Sequence, residues 1–121
     1  MAEYPAGISY RRRISGVGHW RWQRFSAVAV LALMAYFVVT LAMIGGMDHG
    51  AAMEFVGAPA NAMALTVLLV IGLWHGTMGL EVVIEDYITI SGGRKAALVV
   101  MRAVMGLIAL ASLWAMAKIA L

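Results

Sequence analysis

Three long apolar stretches, divided by short polar ones, dominate the chain. The first runs from Phe25 to about Met47, the second from about Ala60 to Ile88 and the third from about Ala96 to Ala120. Each exceeds the roughly 20 residues that an α-helix needs to cross a hydrocarbon core of about 30 Å. The pattern predicts three membrane helices, over about 22–47, 60–88 and 96–120, forming one membrane domain at 22–120 behind a polar arm at 1–21. Trp20 and Trp22 stand where amphipathic rings favour the headgroup layer. Ser91-Gly92-Gly93 is read as a break between the second and third helices.

Composition sharpens this picture. Of the 121 residues 64% are hydrophobic and 12% charged, and the mean hydropathy is +0.90, so lipid is the expected solvent and there is no room for a separate soluble domain. The absence of cysteine excludes disulfides and a Cys-ligated iron–sulfur cluster in this chain. The formal charge of +3 is an orientation signal, and nucleic acid is not an expected partner. Arg11, Arg12, Arg13, Arg21, Arg24, Arg94 and Lys95 fall on one side of the predicted helices and Lys118 on the other, while the loop with Asp48, His49 and Glu54 carries no cation. The positive-inside rule then places the amino terminus in the cytoplasm and the carboxyl terminus in the periplasm. The first apolar run is too long for a signal peptide.

His75 lies near the middle of the second apolar stretch, where an ionisable side chain is costly and needs a partner. Two partners suit a neutral imidazole: a polar group on a neighbouring helix, or haem iron. Gly72, Gly76 and Gly79 remove bulk around it, which suits either a flat porphyrin or close helix packing. At the end of the same helix stand Glu81, Glu85, Asp86 and Tyr87. Carboxylates there oppose the helix macrodipole and call for cations, with Arg94 and Lys95 the nearest in sequence. Tyr87 is either an interface anchor or a donor to a quinone carbonyl, and Asp86 either a solvated carboxylate or part of a proton path. The eleven-residue step from His75 to Asp86 returns to nearly the same helix face about 16 Å along the axis. Arg24 and His19 can anchor the first helix or meet a haem propionate or a quinone. Arg102, two turns into the third helix, is expected to snorkel to the surface.

These residues carry a resemblance. His75-x3-Gly79-x6-Asp86-Tyr87 is similar to the second-helix signature of the hydrophobic membrane anchor of bacterial succinate dehydrogenase, complex II, and Gly16-Val17-Gly18-His19 with Arg24-Phe25-Ser26-Ala27 resembles the start of its first helix. The resemblance implies an all-α anchor in the bacterial inner membrane, packed with a cytochrome b subunit and serving a flavoprotein and an iron–sulfur subunit. That assembly is a succinate:ubiquinone oxidoreductase, linking the tricarboxylic acid cycle to the respiratory chain, and this chain would be a non-flavin subunit of it with no catalytic residue of its own. It further implies His75 as an axial ligand of haem b shared with the partner, Asp86 and Tyr87 at the ubiquinone site, and Arg24 and His19 near a haem propionate or the quinone. Since His75 is the one mid-membrane histidine, a bis-histidine haem needs a second chain. Two rival readings are a haem-free structural anchor and a small proton or ion transporter. The transporter fits less well, because the charges gather at one helix end instead of lining a crossing path.

Overall fold

The computed structural model describes residues 10–121, with side chains from Gly16 onward. The described residues form four helices: α1 (Tyr10–Ile44), α2 (His49–Gly57), α3 (Pro59–Tyr87) and α4 (Ser91–Ala120). Three of them, over Gly16–Ile44, Pro59–Tyr87 and Ser91–Ala120, are long and apolar enough to cross a membrane. The architecture is all-helical, as the hydrophobic pattern requires.

Helix ends differ from the expected ones for local reasons. Residues 1–9 of the expected arm lie outside the described residues, but from Tyr10 onward the arm is the first part of α1. Gly16 and Gly18 cost this helix about 1 kcal/mol each relative to alanine, too little to break it. At 1.5 Å per residue the 35 residues of α1 span about 52 Å, so this helix outruns a hydrocarbon core of about 30 Å. The expected outer loop contains α2, which the Asp48 carboxylate caps by accepting a hydrogen bond from the Ala51 amide at 2.9 Å. Pro59 opens α3 at a position where its missing N–H costs nothing. Ser91-Gly92-Gly93 does not separate helices by itself. It forms the first turn of α4, together with Arg94, and the chain reverses over 88–90.

The central helix is α3, packed against α1 on one side and α4 on the other, while α2 closes against α3 and α4. Few side chains are buried: Ala62, Leu65 and Met78 among the apolar ones, Ser26 and Thr40 among the polar. Large hydrophobics such as Phe25, Leu31, Met63, Leu107 and Leu110 face outward on every long helix. This distribution suits a hydrocarbon solvent, which gives apolar side chains little reason to leave it. Several polar side chains inside the bundle are instead satisfied within it. Thr40, Thr66 and Thr77 each donate to the carbonyl four residues back, and the Tyr36 hydroxyl donates to Asn61 Oδ1, whose Nδ2 donates to the Phe55 carbonyl at 2.7 Å.

At Gly57 the backbone of α2 comes close to that of α4. A Cβ built on Gly57 would stand 2.6 Å from the Ile119 carbonyl oxygen, and that backbone atom cannot swing aside. Gly57→Ala is therefore expected to destabilise the chain by about 1–3 kcal/mol, read as a lower melting temperature of the detergent-solubilised protein. A melting temperature equal to the wild type would show that α2 is not held against α4. Gly79→Ala is the contrasting case: its Cβ would meet Gln23 Nε2 at 3.5 Å, an ordinary contact, so this variant should melt within a degree or two of the wild type.

Candidate functional site in the α1–α3 seam

The polar residues of α1 at His19, Gln23 and Ser26 are spaced four and three apart, so they share one face of the helix. That face meets α3, whose His75 stands opposite Ser26. The Ser26 hydroxyl approaches the Gln23 carbonyl at 3.2 Å and His75 Nδ1 at 2.9 Å. A hydroxyl has one proton. Given to the Gln23 carbonyl, it leaves the Ser26 oxygen to accept from Nδ1–H, and the imidazole then carries its free lone pair on Nε2. In that arrangement the buried serine orients the mid-helix histidine, and its Nε2 makes no hydrogen bond among the described residues. Orientation of one ring nitrogen by a hydrogen bond is the usual support for a ligating histidine.

His75 also lines an open-sided cavity of about 330 Å³ along this seam, with His19, Gln23, Arg24 and Ala27 from α1 and Val82 from α3. Arg24 lies over the Trp20 ring, 5.5 Å from its centroid, which holds the guanidinium beside the cavity. His19 Nε2 and Gln23 Oε1 are shielded from solvent and have no hydrogen-bond partner among the described residues. Both thus retain unused hydrogen-bonding capacity beside the cavity. No group of three His, Asp or Glu side chains able to hold a metal ion lies among the described residues, so a metal at this seam would draw one nitrogen from the chain and its other ligands from elsewhere. Trp22 of α1 and Trp74 of α3 pack with centroids 5.7 Å apart and rings tilted by 55°, bracing the same seam.

The structure groups His75, His19 and Arg24 around one cavity and leaves Asp86 and Tyr87 apart from it. Both stand exposed at the end of α3, Tyr87 with 83% of its surface accessible. The three glycines near His75 do not act alike. A Cβ on Gly76 would meet Met105 of α4 at 3.7 Å and one on Gly79 would meet Gln23 of α1, whereas Gly72 faces open space along an apolar groove shared with Met34 and Phe37.

Two features escape a reading of the sequence. Ser26 has no role assigned there, although its spacing from His19 and Gln23 is a legible signal. Arg102 has a side-chain partner: its Nε and Nη2 reach Glu81 Oε1 at 2.8 and 2.7 Å. Glu81 Oε2 lies 4.0 Å from His19 Nε2, so Glu81 joins α1, α3 and α4. The partner of Glu81 is therefore on the far helix, and not at Arg94 or Lys95.

Comparison with known proteins identifies the family of the chain. The family model described as succinate dehydrogenase/fumarate reductase transmembrane subunit matches residues 4–115. The chain is 32% identical over 84 residues to a succinate dehydrogenase membrane anchor subunit of Reclinomonas americana, covering 67% of this chain and 70% of that one. It is 32% identical over 89 residues to a succinate dehydrogenase hydrophobic membrane anchor subunit of Rickettsia typhi, covering 73% and 70%, and 28% identical over 100 residues to that of Paracoccus denitrificans, covering 76% of each. No solved structure matches the chain. An all-helical chain with three membrane-length helices, matched over nearly its whole length by one family, belongs to the succinate dehydrogenase/fumarate reductase transmembrane subunits, as a membrane anchor subunit.

Proposed function

We propose that this anchor supplies His75 Nε2 as one axial ligand of a haem b whose second ligand comes from a cytochrome b partner, and that Tyr87 and Asp86 border a ubiquinone site at the end of α3. The observation that carries the reading is the 2.9 Å contact between Ser26 Oγ and His75 Nδ1 beside an open-sided cavity. It presents Nε2 as a Lewis base in mid-membrane, where an unpartnered imidazole nitrogen is expensive. Family membership supports the rest: relatives are anchor subunits of succinate dehydrogenase, an assembly whose anchor works with other chains.

The residues fit such a group in three respects. Ser26 fixes the tautomer of the ligand; Arg24, with His19 beside it, gives the cavity a cationic rim suited to carboxylates; and the cavity opens outward, where a second subunit would complete it. Bound there, haem would supply one-electron redox chemistry. The work of this chain is to orient, to neutralise acidic substituents and to exclude water. At the ubiquinone site, reduction to the quinol takes up two electrons and two protons. Tyr87 would donate a hydrogen bond to a quinone carbonyl, which draws negative charge onto that oxygen, and Asp86 would accept and pass protons at the exposed helix end. By this reading that end of the bundle faces the cytoplasm of a bacterial inner membrane, with the flavoprotein and iron–sulfur subunits docked there.

Three measurements on the purified complex test it. In a reduced-minus-oxidised spectrum, His75→Ala should abolish or strongly shift the b-type bands, whereas bands identical to the wild type would remove His75 as ligand. Ser26→Ala should keep the bands but weaken haem retention by about 10- to 100-fold, measured by transfer of haem to an acceptor protein, with Ser26→Thr restoring it. Tyr87→Phe should lower kcat/KM for quinone by about 100-fold or more while succinate oxidation with an artificial soluble acceptor is unchanged. Equal loss in both assays would point to a docking defect instead.

A further inference from the structure

The strongest feature outside the haem and quinone assignments is the ion pair between α3 and α4. Arg102 places both Nε and Nη2 on a single oxygen of Glu81, Oε1, at 2.8 and 2.7 Å. That leaves Oε2 on the other side of the carboxylate, 4.0 Å from His19 Nε2. The two ends of the pair belong to different spaces. His19 lines the cavity that also holds His75 and Arg24, while Arg102 lines the groove between α3 and α4 together with Trp74 and Met105. The side chain of Glu81 is 21% exposed and that of Arg102 61% exposed, so the negative end is the more enclosed.

We propose that Glu81 and Arg102 form a cross-helix dipole, negative toward the His75 cavity, that sets the electrostatic potential felt by a redox group held there. The proposal rests on the haem reading given above. Glu81 follows His75 by six residues, a rise of about 9 Å along α3. Within a hydrocarbon-embedded bundle, charges at that separation are little screened by salt. The carboxylate, adjoining the cavity through His19, opposes the positive charge of Arg24 on the cavity wall, and Arg102 in turn limits how far the carboxylate can lower the potential. Such a pair also explains an acidic residue placed against the macrodipole near the C-terminal end of α3.

The test is a redox titration of haem b in the intact complex for the wild type, Glu81→Gln, Arg102→Gln and the double variant. Glu81→Gln leaves Arg102 uncompensated, favours the added electron and should raise the midpoint potential. Arg102→Gln leaves Glu81 uncompensated and should lower it. The double variant removes the dipole itself and, because Glu81 is the charge nearer the cavity, should lie above the wild-type value and below that of Glu81→Gln. Were the pair only a bolt between helices, both single variants would lose haem or shift in the same direction, or the double variant would match the wild type; any of these results overturns the dipole while leaving His75 as ligand. A wild-type complex without b-type bands overturns the haem reading and this inference with it.

Discussion

Lipid as solvent imposes the constraint on which the rest of the structure depends. A side chain such as Leu107 or Phe25 gains almost nothing by leaving hydrocarbon for the interior of three helices, and the structure leaves both exposed. What positions the helices is then the need to satisfy polar groups that have no water. The contacts of α3 with its neighbours form a ladder consistent with its antiparallel course. Tyr36 of α1 reaches Asn61 near the start of α3, Ser26 reaches His75 in the middle, and His19 approaches Glu81 toward its end. Glu81 reaches Arg102 on α4 in the same way. Two of the five buried residues among those described are polar, Ser26 and Thr40, and each hydroxyl finds a backbone carbonyl within its own helix.

Each contact in this ladder limits the next. Because the one Ser26 hydroxyl lies within reach of both the Gln23 carbonyl and His75 Nδ1, where its proton goes and which tautomer His75 takes are tied together. Because Arg102 takes Oε1 of Glu81 with two nitrogens, Oε2 is what His19 meets. The cavity is thus bounded by groups whose roles are set by neighbours outside it. Its open side is equally informative: three helices make a seam around His75 and not an enclosure, which suits a chain whose relatives are anchor subunits of a larger complex.

Three helices of membrane length are legible in the sequence, because a run of twenty or more apolar residues admits few other structures. His75 is legible as a candidate for the same reason: a lone imidazole in such a run has to be explained. The sequence also singles out His19 and Arg24, and the structure sets both beside His75, though well inside α1 and not at its end. It leaves the choice between helix partner and metal ligand open at His75, and the structure adds a polar partner at one nitrogen while leaving the other uncommitted.

The hydrophobic pattern by itself determined the solvent, the number of long helices and the residues that need a partner, because these depend on composition and local spacing alone. Which partner each residue found was decided only by the tertiary structure. Arg102 lies twenty-one residues from Glu81 and Ser26 forty-nine from His75, and no local rule links them. The same holds for Gly57, which looks like any loop glycine until α2 packs its Cα against the Ile119 carbonyl. Helix limits escape the pattern where residues act by position more than by type. Asp48 reads as a solvated loop charge but is a cap, and Ser91-Gly92-Gly93 reads as a break but starts a helix. Asp48 sits where a capping carboxylate is favoured, and at Gly92-Gly93 the backbone's demand for hydrogen bonds outweighed propensity terms of about 1 kcal/mol per residue.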